Sequence, residues 1–176
     1  MGLLKDNRQA IYFLLIFVGL YVALNTLYGT YITYWSPDPD PVTRWITYQV
    51  AFFLARFDPD IHAMGIPGSG NVAIDNASRR VLLVFEGCNG INVMIVFVCF
   101  LIAYRRTLKL TVLFGLFGIV VIYVMNLGRV ATLYFIAEAF PNYLYFFHKY
   151  LLTGVLYFAV FGMWMVWINR YRHARA

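Results

Sequence analysis

From Ala10 to Tyr34 the chain runs for 25 residues without a formal charge. As a helix rising 1.5 Å per residue, that run crosses a hydrocarbon core about 30 Å thick. Composition says the same of the whole chain. Of its 176 residues 62% are hydrophobic and only 12% charged, so the apolar surface cannot be hidden in water. The chain therefore reads as an integral membrane protein. Tyr28, Tyr31, Tyr34 and Trp35 form an aromatic belt at the far end of the first span. Lys5 and Arg8 precede it and no small-residue cleavage site follows its apolar core, so an uncleaved anchor is expected rather than a signal peptide.

Ser36-Pro-Asp-Pro-Asp-Pro41 cannot continue a helix, and its last two residues suit a helix cap and first helical position. Thr43 to Phe57 is apolar over most of its surface but holds Arg44, Gln49 and Arg56, and it is too short to span comfortably; it reads as a helix lying in the interface. Gly65 to Gly70 is a loop. Asn71–Asp75 and Arg79–Glu86, flanking Asn76-Ala-Ser78, read as a β-hairpin. Asp58, Asp60 and His62 lie close enough in sequence to suggest a metal, but no further ligand set accompanies them, so a polar turn is preferred and no metal is expected.

A second span is expected from Asn89 to Tyr104 and a third from Leu110 to Asn126. Val130 to Phe140 reads as a second short interfacial segment, and a fourth span as Lys149 to Ile168, with a start as early as Asn142. The expected fold is thus all-α: about four transmembrane helices, two short interfacial helices and a small extracytoplasmic β-hairpin, with residues 1–176 forming one membrane-embedded domain.

Charge orients this bundle. Lys5, Arg8, Arg105, Arg106, Lys109, Arg170, Arg172 and Arg175 fall on one side with Asp6 alone, a balance of +7. Arg44, Arg56, Arg79, Arg80, Arg129 and Lys149 share the other side with seven acidic residues, a balance of −1. The positive-inside rule makes both termini cytoplasmic in a multi-pass plasma (inner) membrane protein. No basic excess is left over for nucleic acid.

Helix rise also fixes depth. Asn89 down to Arg105 spans about 24 Å and Lys109 back to Asn126 about 26 Å, so Cys88 and Asn126-Leu-Gly-Arg129 return to one outer level, where His148 also arrives. A thiol and an imidazole are the parts of a nucleophile and its base. A permanently charged Arg can lower the thiol pKa or hold an oxyanion. Backbone N–H groups at Asn89-Gly90, where a helix begins, can add to that. Taken singly, each residue is more often structural: a small interfacial thiol, an anchoring Arg, a belt His. Their convergence at one depth is what makes the chemistry worth weighing.

Glu86-Gly-Cys88-Asn-Gly90 before a span, Asn126-Leu-Gly-Arg129-Val after the next, and His148 leading the last resemble the exosortase/archaeosortase family of membrane cysteine transpeptidases. The resemblance covers about half the chain, Glu86 to Gly154, and the compact form looks like the short exosortase F branch. The family often shows Cys-Ser-Gly where this chain has Cys88-Asn89-Gly90. The resemblance implies Cys88 as nucleophile, His148 as acid/base and Arg129 as stabiliser, with Glu86, Asn89, Gly90 and Asn126 supporting them or contacting substrate. It implies a cysteine protease or transpeptidase whose active site faces the extracytoplasmic side. Its partner would be the C-terminal sorting signal of an exported, membrane-anchored protein, with the new C-terminus passed to an acceptor such as a glycan or lipid. No cofactor is implied.

Two other readings stand beside it. One is a non-enzymatic scaffold or assembly subunit, for which Cys88 would be replaceable. The other is a membrane thiol oxidoreductase, which needs paired cysteines. Cys99, the only other one, lies about 16 Å down the same helix, beyond the roughly 7 Å Cα separation that a disulfide bridges.

Overall fold

The computed structural model describes residues 8–77, 79–104 and 107–173. Lys5, Asp6, Ser78, Arg105, Arg106 and Arg175, used above for orientation and for the hairpin turn, lie outside the described residues.

Helix α1, Arg8–Trp35, is the charge-poor run seen in the sequence and has no buried residue of its own. It ends at the proline-rich turn. Helix α2, Pro41–Leu54, then begins as the sequence prescribes: the Asp40 carboxylate accepts from the backbone N–H of Val42 and Thr43 at 3.0 and 3.1 Å, with Pro41 in the first turn. Its buried side is Thr43, Ile46, Thr47, Val50, Ala51 and Leu54, a helical stripe at spacings of three and four.

The expected hairpin is a three-stranded antiparallel sheet in the order β1-β2-β3: β1 His62–Gly65, β2 Val72–Asn76 and β3 Arg79–Val84. Strand β1 extends the reading because His62-Ala-Met-Gly65 carries no β-branched or aromatic residue to announce it. It is held by its register on β2, Ala63 opposite Ile74 and Gly65 opposite Val72. Across the other pair Val72 faces Val84 and Ile74 faces Leu82, and these four side chains form the inner face. Of the residues weighed as metal ligands, Asp58 accepts from the Asp60 N–H and from Asn76 Nδ2, which commits it to the turn.

Helix α3, Ile91–Ala103, has 13 residues, about 20 Å, shorter than the expected second span. Its start is delayed by a 3-10 turn, Glu86–Cys88, and by Gly90, which takes φ +80°. It packs against α1, the long fourth helix and the last helix.

Helix α4, Leu108–Ala139, corrects the sequence reading most. The third span and the segment Val130–Phe140 are one uninterrupted helix of 32 residues. By composition Asn126-Leu-Gly128 suits a helix end. A glycine inside a helix costs only about 1 kcal/mol, however, and Val130, Leu133, Tyr134 and Ala137 continue an apolar stripe that is buried. Tertiary packing therefore overrides the break. Past α4, a 3-10 turn Pro141–Tyr143, a single α turn Leu144–Phe146 (α5), a π-helical stretch Phe147–Leu151 and α6, Leu152–His173, follow in succession.

Among the described residues three helical segments are long and apolar enough to cross a membrane: 8–35, 108–139 and 141–169, with mean hydropathy 2.1, 2.3 and 2.0. The molecule is a mostly helical integral membrane protein with a small sheet. Two packed regions hold it. Phe97, Leu101, Ile122, Leu156, Val160 and Trp167 join α3, α4 and α6. Gly118 lets the Phe97 ring lie on α4, since a Cβ there would sit 2.1 Å from Phe97 Cζ. In lipid such contacts hold helices by close packing rather than by the hydrophobic effect. The second region places the sheet on α2 and α4 through Val50, Leu54, Ile74, Leu82, Val84, Val130, Leu133 and Tyr134, and Cys88 belongs to it.

Candidate active site

Cys88 closes the 3-10 turn that joins the sheet to α3, and its N–H donates to the Phe85 carbonyl at 2.8 Å. Three side chains fix this elbow from three other elements. Asn126 of α4 donates through Nδ2 to the Cys88 carbonyl at 2.9 Å. Asn89 donates to Tyr28 of α1 at 2.7 Å and to Thr43 of α2 at 3.2 Å, while its Oδ1 accepts from the Ile91 N–H, the first of α3, at 3.0 Å. Gly90 turns between them in the left-handed region. A Cβ there would stand 3.1 Å from Asn126 Cγ.

His148 comes from the π-helical stretch, where the wider turn leaves its carbonyl to accept from the Thr153 hydroxyl at 2.7 Å. Its Nε2 lies 3.1 Å from Cys88 Sγ. The Phe85 ring sits beside the imidazole, centroids 6.2 Å apart. π-Helical turns are rare and occur frequently at functional sites.

Arg129 lies three residues beyond Asn126 on α4, within a helix rather than past its end. Its charge acts on both the Cys88 thiol and the His148 imidazole. Burial pushes the thiol above its ordinary value, Glu86 adds to that, and Arg129 and hydrogen bonding of the thiol to the Phe85 backbone pull it back down. The direction expected of Arg129 is thus present, but desolvation of a thiol only 3% exposed outweighs it. The resting pair is therefore a neutral thiol beside an imidazole, and the proton leaves Sγ only when a base takes it.

The sequence-predicted residues thus divide. Cys88 and His148 are in contact, and the Arg129 charge reaches both. Asn126 and Gly90 shape the Cys88 backbone, and the Asn89 side chain is buried and spent on protein partners. Glu86, whose charge also reaches the thiol, lines a polar hollow of about 320 Å³ with Asp38, Asp40 and Ser69. Cys99 is a free, fully buried thiol inside α3. Tyr28, Thr43, Phe85 and Thr153 escaped the sequence reading as site residues. Only Tyr28 carried any signal there, as part of the aromatic belt.

A groove of about 620 Å³ opens between α2 and α4, lined by Trp45, Tyr48, Phe52, Phe53, Leu127 and Gly128. Its α4 wall runs from Val124 to Ala131. Trp45 and Gln49 are tied to α4 through the Tyr123 hydroxyl, which accepts from Trp45 Nε1 and donates to Gln49 Oε1.

The transmembrane exosortase family matches residues 6–168 of this chain. No curated protein and no solved structure matches it.

Proposed function

The chain belongs to the transmembrane exosortase family, a family of membrane transpeptidases, and we propose that Cys88, His148 and Arg129 are the groups with which it cleaves and transfers a C-terminal sorting signal. The observation that carries this reading is the 3.1 Å approach of Cys88 Sγ to His148 Nε2 between residues 60 apart in sequence. That distance is within the reach a nucleophile and its general base require.

The steps follow from the groups. As Sγ attacks the carbonyl carbon of the substrate, its proton passes to His148 Nε2, and the developing oxyanion is stabilised by the Arg129 charge. His148 returns that proton to the departing amine as the C–N bond breaks, leaving an acyl thioester on Cys88. An acceptor nucleophile then gives its proton to Nε2 and attacks the thioester. Sγ leaves and is reprotonated by His148. The apolar groove between α2 and α4 supplies a lateral way in for a membrane-anchored substrate.

The proposed orientation places both termini in the cytoplasm and the site on the extracytoplasmic side of the inner membrane, from the charge asymmetry. Labelling of a cysteine introduced at Ser69 checks it: access only from the cytoplasm would reverse the site. The activity is tested by co-expression with candidate membrane-anchored substrates. A size shift with wild type that disappears with Cys88→Ala at equal expression supports the proposal; processing by Cys88→Ala sinks it and returns the scaffold reading.

A further inference from the structure

Asn126 Oδ1 and Arg129 Nε are buried and have no hydrogen-bond partner among the described residues. Asn126 is fully buried. The two residues are three apart on α4, and side chains at that spacing share a face with Cβ atoms about 5–6 Å apart. That face is turned to the nucleophile, because Asn126 donates to the Cys88 carbonyl and the Arg129 charge acts on the Cys88 thiol. One orphan only accepts and the other only donates. Buried groups of this kind are nearly always paired, so complementary orphans in one site call for a ligand that brings both missing halves.

An extended peptide does so. The N–H and C=O of one of its residues point to the same side, as they do in strand pairing. We propose that Asn126 Oδ1 and Arg129 Nε together hold one backbone N–H and one backbone C=O of the peptide substrate beside the bond that Cys88 attacks. This rests on the transpeptidase reading and deepens it. Asn126 becomes a substrate-binding residue that selects for a secondary amide whatever the substrate's side chains. An ester, an N-methyl amide or a proline at that linkage leaves Asn126 Oδ1 unpaired and is rejected. A site built to bind an N–H discriminates strongly against analogues lacking it.

The test uses the purified full chain in nanodiscs and the chloromethyl ketone of N-acetyl-tetraalanine, with each amide of the probe replaced in turn by an ester. Alkylation of Cys88 is followed by intact mass. In wild type, one ester is expected to slow alkylation roughly ten- to a hundredfold and the others little. In Asn126→Ala the amide and ester probes should react within about twofold of each other at every linkage. The amide-to-ester ratio cancels any change in thiol reactivity caused by losing the Cys88 carbonyl bond. A flat scan in wild type overturns the inference and leaves the orphan pair to a structural water. So does an all-amide probe that reacts no faster than chloroacetone, or discrimination that persists in Asn126→Ala. The wild-type scan decides even if the variant does not fold. Failure of the transpeptidase reading is a separate outcome, seen as processing of a genuine substrate by Cys88→Ala.

Discussion

Gly90 and Asn126 fit against each other so closely that a Cβ at Gly90 would stand 3.1 Å from Asn126 Cγ, while Asn126 holds the Cys88 carbonyl at 2.9 Å. The positive φ of Gly90 is a second reason for glycine there. Gly90→Ala is expected to cost about 1–2 kcal/mol in backbone strain alone and to push Asn126 off the Cys88 carbonyl. Thermal unfolding in detergent should fall accordingly, and Cys88 should react more slowly with an acyl probe. An unchanged melting temperature and labelling rate would show that the elbow does not depend on this contact.

The thiol gives a prediction with a definite sign. Burial favours the neutral form and raises the Cys88 pKa. The rate of labelling by methyl methanethiosulfonate should therefore climb with pH through an inflection above the roughly 8.5 of a free thiol. Arg129 lowers that pKa, so Arg129→Gln should move the inflection higher still. An inflection below about 7 would mean a preformed thiolate–imidazolium pair and would refute the neutral resting state.

Asn89 joins three elements, which separates two variants. Asn89→Leu leaves the Tyr28 and Thr43 hydroxyls without their donor and the Ile91 N–H without its acceptor, and should cost about 1–3 kcal/mol. Tyr28→Phe removes only one of these bonds and should cost about 1 kcal/mol or less. Chemical denaturation of both variants, compared with wild type, measures the difference. Equal losses would place the effect in α1 packing instead.

What the sequence could tell depended on which forces were local. Helix rise is fixed, so counting from Asn89 to Arg105 and back to Asn126 brings Cys88 and Asn126 to one depth, and the structure has them in hydrogen-bond contact. Asp40-Pro41 caps α2 because capping is decided within four residues. The continuity of α4 was not legible in the same way. Gly128 weakens a helix locally, while the stripe from Val130 to Ala137 is stabilised by partners on the sheet and α2 that are distant in sequence. β1 was hidden for a similar reason, since pairing with β2 and not composition makes it a strand. The π-helical turn that aims His148 has no residue pattern of its own, and nothing in the order of residues brings the Phe85 ring to the imidazole.

That π-helical turn carries the last prediction. The wider turn leaves the His148 carbonyl to be met by the Thr153 hydroxyl at 2.7 Å, and this bond holds the ring-bearing residue in register with Cys88. Thr153→Val keeps the side-chain shape and removes only the donor, a loss of about 0.5–1.5 kcal/mol for a typical hydrogen bond. If that energy serves to place the imidazole, the initial rate of substrate processing should fall several-fold with little change in the substrate level needed for half-maximal rate. Thr153→Ser, which restores the hydroxyl, should recover most of it. His148→Ala sets the floor, since loss of proton transfer typically costs 10²- to 10⁴-fold. Wild-type processing by Thr153→Val would show that packing around Phe85, rather than this hydrogen bond, holds His148 against Cys88.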